Sequence, residues 1–282
     1  MRPGAAARRN AREFVGVAPA LALVALVFVL PVAALLLRSV LEPQPGLQNY
    51  AEIFASATYL RVFENTFLVA ALVTLVTLSL GFPVAWLMTI ASPTWSGLLF
   101  AIVVLSMWTN LLTRTYAWMV LLQNTGVINR ALLGLGLISQ PLPLINNLTG
   151  VVIGMTYILL PFMILPLHAA MRDLDPAILR AAALCGATRG QAFRLIFLPL
   201  LASGIAAGAL MVFVMALGYY ITPALLGGAA NMMLAELIAQ LIQSLLNWGL
   251  GAAAAFALLV VTLALYAVQF RAFGFGAMRE GR

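Results

Sequence analysis

Residues 168–199 read HAAMRDLDPAILRAAALCGATRGQAFRLIFLP, and the reading of this stretch organises the rest of the chain. Asp175 is a good helix N-cap, and Pro176 falls at the first helical position, where its missing N–H costs nothing. Residues 177–184 form a strong helix-forming run. Gly186 supplies a left-handed or tight-packing position that stops this helix. A second helix is predicted from near Thr188 through Phe193 and Ile196 to Pro199. The segment thus reads as helix, Gly turn, helix, with small Ala side chains that let another surface approach closely. Leu179, Leu184, Phe193, Leu195 and Phe197 are too apolar for a free connector. They require a cover, either the base of the same molecule or a second protein.

The flanks on both sides are apolar. Of the 282 residues, 64% are hydrophobic and 8% charged, with a mean hydropathy of +1.07. A soluble domain carries roughly a quarter charged residues, so soluble globular and disordered classes are excluded. A spanning helix needs about 20 mostly apolar residues. Six stretches qualify, at 18–37, 66–90, 98–122, 148–167, 200–221 and 250–270, and only the third holds a charge, Arg114. None alternates with the period of a membrane barrel strand. The predicted fold is an all-α polytopic membrane protein with six transmembrane helices. A cytoplasmic segment 1–17 leads into a single six-helix domain, 18–270, that contains 168–199, and 271–282 is a cytoplasmic tail. The first stretch is read as a true span rather than a signal peptide. It is long, and Arg38 and a Pro-rich loop follow it in place of a small-residue cleavage site.

Orientation follows from arginine. Arg2, Arg8, Arg9 and Arg12 precede the first span, Arg172, Arg180, Arg189 and Arg194 lie between spans four and five, and Arg271, Arg279 and Arg282 end the chain. With six alternating spans these fall on one side, which places both termini and 168–199 in the cytoplasm. Arg38, Arg61, Arg114 and Arg130 fall on or near the other side. Outside lie a 39–65 loop with three Glu residues, a 123–147 connection rich in Gly, Pro and Asn, and a 231–248 segment. In that last segment Glu236, Gln240, Gln243 and Asn247 recur at helical spacing among apolar residues. An amphipathic helix is predicted there, either lying at the interface or lining a water-filled mouth.

The inventory excludes much chemistry. The chain has no Lys, so it holds neither a P-loop lysine nor a Schiff-base lysine. One Cys and one His leave no disulfide and no transition-metal cluster. His168 reads as a packed or interfacial residue, and Cys185 as a small apolar filler. No cofactor site is expected in this chain.

Ala181-Ala182, three residues, Gly186, nine residues and Ile196-x-Leu198-Pro199 resemble the "EAA" loop of ABC-importer permeases of the binding-protein-dependent type. In that family the loop forms a coupling helix that docks in a cleft of a separate ATPase. The resemblance implies that Asp175, Pro176, Arg180, Ala181, Ala182, Gly186, Ala187, Ile196, Leu198 and Pro199 make the coupling loop. One departure stands out: Arg180 occupies the family's Glu position and inverts its charge. Further stretches, MWTNLLTRTYAWMVLL (107–122), YILLPFMILPLHAAMRDLDP (157–176), GYYITPALLGG (218–228) and NWGLGAA (247–253), are similar to the first permease subunit of spermidine/putrescine importers. What the resemblance implies is a type I ABC-importer permease fold in a bacterial inner membrane. It also implies a heterodimer with a second permease, two ATPase subunits that bind ATP and Mg, an extracytoplasmic solute-binding protein and a polyamine-like solute. Nucleic acid is not an expected partner.

Pathway candidates come from polar residues at span ends. Ser106, Asn110 and Thr113 are predicted to form a polar stripe on span three, beside Arg114, Tyr116 and Trp118. Arg114 is either a functional charge or a snorkelling anchor. Tyr219, Tyr220 and Thr222 carry polar tips suited to a wet pathway at the end of span five, and Glu236 is the acid nearest the external mouth. No Asp or Glu lies within a span. Two other readings compete. A stand-alone secondary carrier or channel fits six spans but lacks buried carboxylates. A membrane-bound enzyme lacks a nucleophile–base pair.

Overall fold

The computed structural model describes residues 18–271, all of whose regular elements are helical. The segment 1–17 and tail residues 272–282, read above as cytoplasmic, lie outside the described residues. Five helices are long and apolar enough to cross a membrane: α1 (Ala18–Leu41), α3 (Ala57–Ile90), α7 (Leu148–Arg172), α9 (Arg189–Leu217) and α12 (Trp248–Gln269). The sixth apolar stretch is a bent pair, α4 (Pro93–Trp108) followed by α5 (Leu111–Leu122). Shorter helices complete the chain: α2 (Gln48–Ala55), α6 (Val127–Gly134), α8 (Pro176–Leu184), α10 (Ile221–Leu226) and α11 (Leu234–Gln243).

Expectations about the spans and the external segments are corrected. Span three is not one helix over 98–122, because the chain turns by 97° between its halves. Thr109 and Asn110 are extended, and Asn110 Oδ1 accepts from the Leu112 and Thr113 N–H groups as the N-cap of α5. A side chain that satisfies two orphan donors stabilises a new helix start over continuation of the old one. The polar stripe of Ser106, Asn110 and Thr113 dissolves with it. Ser106 and Thr109 hydroxyls instead donate to the carbonyls of Val103 and Ser106. Span five ends at Leu217 rather than 221, which leaves Tyr219 and Tyr220 in the connection before α10. The 231–248 helix is confined to α11, and Asn247 caps α12 through a bond from Leu250 N–H. The external 39–65 loop is itself largely helical, through α2 and the early start of α3.

The described residues pack as two units. The first comprises 18–56 with Ile238–Ala257. Buried Asn49 ties α2 to the end of α1 by donating to the Ser39 and Glu42 carbonyls, at 2.8 and 2.7 Å. Tyr50 donates to or accepts from Ser39 Oγ at 2.8 Å and meets Phe256 edge-on at 6.2 Å. Arg38 pairs with Glu42 at 3.7 Å and lies 5.1 Å from the centre of the Trp248 ring.

The second unit, Ala57–Leu237 with 258–271, is built on α3, α7 and α9. Val69, Ala70, Val73, Met155, Leu159, Met163, Leu201 and Val212 are buried at their junction. Close approach of α9 to α7 depends on Gly204, where an added Cβ would lie 2.3 Å from the Ala170 methyl. Small residues at such crossings let helix backbones pack in the absence of a hydrophobic drive between apolar spans. Buried Thr66 donates to Val62 O and accepts from Leu234 N–H at 2.8 Å, so a span residue caps the start of α11.

Candidate functional site

The 168–199 segment folds as a short hairpin. Asp175 Oδ1 accepts from Ala177 N–H at 2.8 Å and caps α8, with Pro176 at the first position. At the far end Gly186 N–H bonds Ala183 O and Ala187 N–H bonds Ala182 O, a Schellman closure with Gly186 at φ +84°. Thr188 then opens α9 with a reciprocal capping box. Its hydroxyl accepts from Gln191 N–H while Gln191 Oε1 accepts from Thr188 N–H. The second helix leads at Pro199 into span five and, as α9, runs on to Leu217. A five-residue π turn, Phe193–Phe197, precedes the proline, with Leu198 N–H donating to Phe193 O. Pro199 has no N–H for the Leu195 carbonyl and its ring crowds that carbonyl, so the wider turn relieves both. Pro31 of α1 follows the π turn Ala25–Val29 in the same way.

The faces of this hairpin are unequal. Arg180, Ala181 and Gly186 are exposed, whereas Ala182 is turned inward at 7% exposure and leaves the close-approach surface expected of it. Nothing lies within 4 Å of a Cβ built on Gly186, so its φ, and not close packing, demands glycine. Leu184 is 90% exposed, and Ile178 and Leu195 also face outward. Of the residues expected in a coupling loop, Ala187, Ile196 and Leu198 are half-buried and Pro199 is exposed. Cys185 is exposed as the C-cap of α8, not the packed filler expected.

An aromatic cluster that the sequence reading missed anchors the hairpin to α3. Trp86 meets Phe197 at 4.6 Å and Phe193 at 6.1 Å, both edge-on, and Phe82 meets Phe193 at 6.2 Å. The available signal was two aromatic pairs at i, i+4, Phe82/Trp86 and Phe193/Phe197, each at a span end. Beside the hairpin, Thr89 Oγ1 donates to Ala85 O, so His168 Nδ1 is the donor in the 3.1 Å bond to that hydroxyl.

The pathway candidates separate into two faces of α5. Thr113 and Tyr116 are exposed, while Arg114 and Trp118 turn toward α7 and α10. Trp118 meets Tyr157 edge-on at 5.6 Å, and the Thr115 and Thr222 hydroxyls meet at 3.3 Å. Thr222 is fully buried at this seam, so it packs α10 and does not present the wet surface expected. Tyr220 is 42% exposed. Glu236 is half-buried on α11, where burial pushes its carboxyl above the usual glutamate range and the Met233 N–H partly offsets this. It makes no ion pair with Arg114 among the described residues. The Arg114 Nε and the Thr156 hydroxyl are buried without partners.

Residues 53–272 match the family model of the binding-protein-dependent transport system inner membrane component. The chain is 37% identical over 226 residues to the spermidine/putrescine transport system permease protein PotB of Haemophilus influenzae, covering 80% of this chain and 79% of that protein. It is 34% identical over 226 residues to PotB of Escherichia coli K12, covering 80% and 82% respectively. In fold it resembles a bacterial alginate ABC transporter solved in complex with an alginate-bound periplasmic protein. There the TM-score is 0.77 at 18% identity, over 96% of each chain. A family match over most of the chain and these relatives agree: the chain belongs to the binding-protein-dependent inner membrane transport family and is a permease subunit of an ATP-binding-cassette importer, not an enzyme.

Proposed function

We propose that this permease forms half of the translocation pathway for a polyamine-like cation, opposite a second permease, in the bacterial inner membrane. Two ATPase subunits bind ATP and Mg on the cytoplasmic side, and an extracytoplasmic solute-binding protein delivers the solute. Both termini and 168–199 face the cytoplasm in this reading, which the arginine distribution supports. The hairpin is the docking element. Its single most telling feature is the outward-facing, capped α8 with Leu184 90% exposed, next to α9, which enters the bundle without interruption. An apolar tip of this kind requires a cover, and an ATPase cleft supplies one. ATPase closure pushes α8, and the Trp86–Phe193–Phe197 cluster passes the displacement to α3 and α9 as rigid elements.

The polyamine reading rests on the PotB relatives and on the aromatic faces of Trp118, Tyr157 and Tyr219, which attract organic cations. Family membership disfavours the stand-alone carrier. The decisive experiment reconstitutes this chain with its second permease, ATPase and binding protein in liposomes. ATP-dependent spermidine uptake that vanishes when any one component is omitted is expected. Uptake by this chain alone without ATP overturns the importer mechanism, and ATP-driven uptake of another solute but no polyamine overturns the substrate.

A further inference from the structure

The first unit holds a cavity of about 690 Å³ between the end of α1, the start of α2 and the start of α12. Glu42, Gln48, Asn49, Glu52, Asn247 and Trp248 are among its lining. In the orientation that the arginines support, this is the extracytoplasmic end of the first span. Asn49 is 3% exposed, and its Nδ2 is spent on the Ser39 and Glu42 carbonyls. Those two bonds fix the amide's orientation and leave Oδ1 without a donor among the described residues. Gln48 repeats the arrangement, since its Nε2 donates to Gln44 O at 3.0 Å and Oε1 is left open. Asn247 is the reverse case, with its Oδ1 taken by Leu250 N–H. One turn along α2 from Gln48, Glu52 adds a carboxylate to the same cavity.

One wall already holds a cation. Arg38 pairs with Glu42 at 3.7 Å and lies 5.1 Å from the centre of the Trp248 ring. Two carboxylates against one guanidinium leave the charge of Glu52 without an ion pair among the described residues. Surplus acceptors and one net negative charge select a cation that donates hydrogen bonds. A hard metal ion takes about six oxygen ligands, and no three His, Cys, Asp or Glu side chains come together to hold one among the described residues. A primary ammonium has three N–H donors and no acceptor, which suits one carboxylate and two amide oxygens. We propose that this cavity is an external binding site for the primary ammonium group of an alkylammonium solute, held by Glu52, Asn49 Oδ1 and Gln48 Oε1. The identity of that solute as a polyamine rests on the proposed function. The site offers, outside the membrane, the carboxylate that no apolar stretch of this chain carries.

The test uses the complex of both permeases and the ATPase, purified without binding protein, and measures bound spermidine by equilibrium dialysis. Saturable binding is expected, weakened about tenfold in Glu52→Gln, in line with loss of a charge-assisted hydrogen bond. Gln48→Met removes an acceptor without changing charge and is expected to weaken binding about threefold. Glu64→Gln, at an exposed glutamate outside the cavity, leaves binding unchanged. Permethylated spermidine keeps the charges but has no N–H to donate, and is expected not to compete. No saturable binding, undiminished binding in Glu52→Gln, an equal loss in Glu64→Gln or full competition by the permethylated compound overturns the site. A Glu52→Gln complex that binds spermidine normally but no longer responds to binding protein also overturns it, and assigns the cavity to a lysine of that protein. ATP-driven uptake, with binding protein added back, is read in the same preparations. Spermidine uptake without a Glu52-dependent site sinks the site alone. A Glu52-dependent site in an importer that moves no polyamine sinks the substrate reading alone.

Discussion

Gly186 shows how a single backbone angle constrains the 168–199 hairpin. Its φ of +84° is open to glycine and strains other residues, while the space around it is empty. Gly186→Ala therefore costs about 1–2 kcal/mol of hairpin stability through conformation alone. Gly186→Asn is expected to cost less, because asparagine tolerates the left-handed region. Co-purified ATPase should rank wild type, then Asn, then Ala; equal yields for all three would sink the argument. Gly186→Trp adds bulk on an exposed face and is expected to abolish docking. At Asn110, loss of the cap in Asn110→Ala costs about 1 kcal/mol and loosens the turn between α4 and α5. Glu236 carries a sign that is easily inverted. Its folded pKa is raised by burial, so its contribution favours the folded state at acid pH and is lost as pH rises through the folded value. Glu236→Gln is thus expected to raise the thermal midpoint at neutral pH and leave it nearly unchanged near pH 4. A lower midpoint at pH 7 would argue that the carboxylate has a partner.

Among the elements, α9 matters most, because it joins the hairpin to the bundle. The π turn and the aromatic cluster occupy the same five residues, so the place where the helix is widest is also where it is gripped by α3. Each edge-on aromatic pair contributes about 0.5–1.5 kcal/mol beyond its burial. Trp86→Ala removes two such contacts. The expected result is an importer whose ATPase still binds ATP but whose hydrolysis no longer rises with loaded binding protein; full stimulation in Trp86→Ala would show that force takes another route. Asp175, Thr188 and Gln191 were legible as local signals, since each caps a backbone group within three residues of itself. The cluster was not, because its two halves are separated by more than a hundred residues and only the crossing of α3 and α9 brings them together.

For the whole molecule, packing relies on close helix contact in a chain too apolar to gain from hydrophobic burial within lipid. Gly204→Leu places a branched side chain where even a Cβ would collide with Ala170. Overpacking of this kind costs about 1–3 kcal/mol, and a lowered melting temperature with reduced membrane yield is expected, without direct effect on the hairpin. Exposure has a different meaning here than in a soluble protein. α1 is exposed along nearly its whole length, consistent with a helix covered by lipid or by another subunit.

By itself, the sequence determined the membrane class, the six apolar stretches and the helix starts and stop of the 168–199 hairpin. Each of these depends on composition, on run length or on contacts a few residues apart. Tertiary structure alone decided three things: the inward turn of Ala182, the burial of Thr222 and, among the described residues, the lack of a hydrogen-bond partner at Arg114 Nε. In every case the physical reason is the same. Whether a polar or small side chain meets solvent, a neighbour or nothing depends on which helices cross it, and those crossings join residues far apart in the chain.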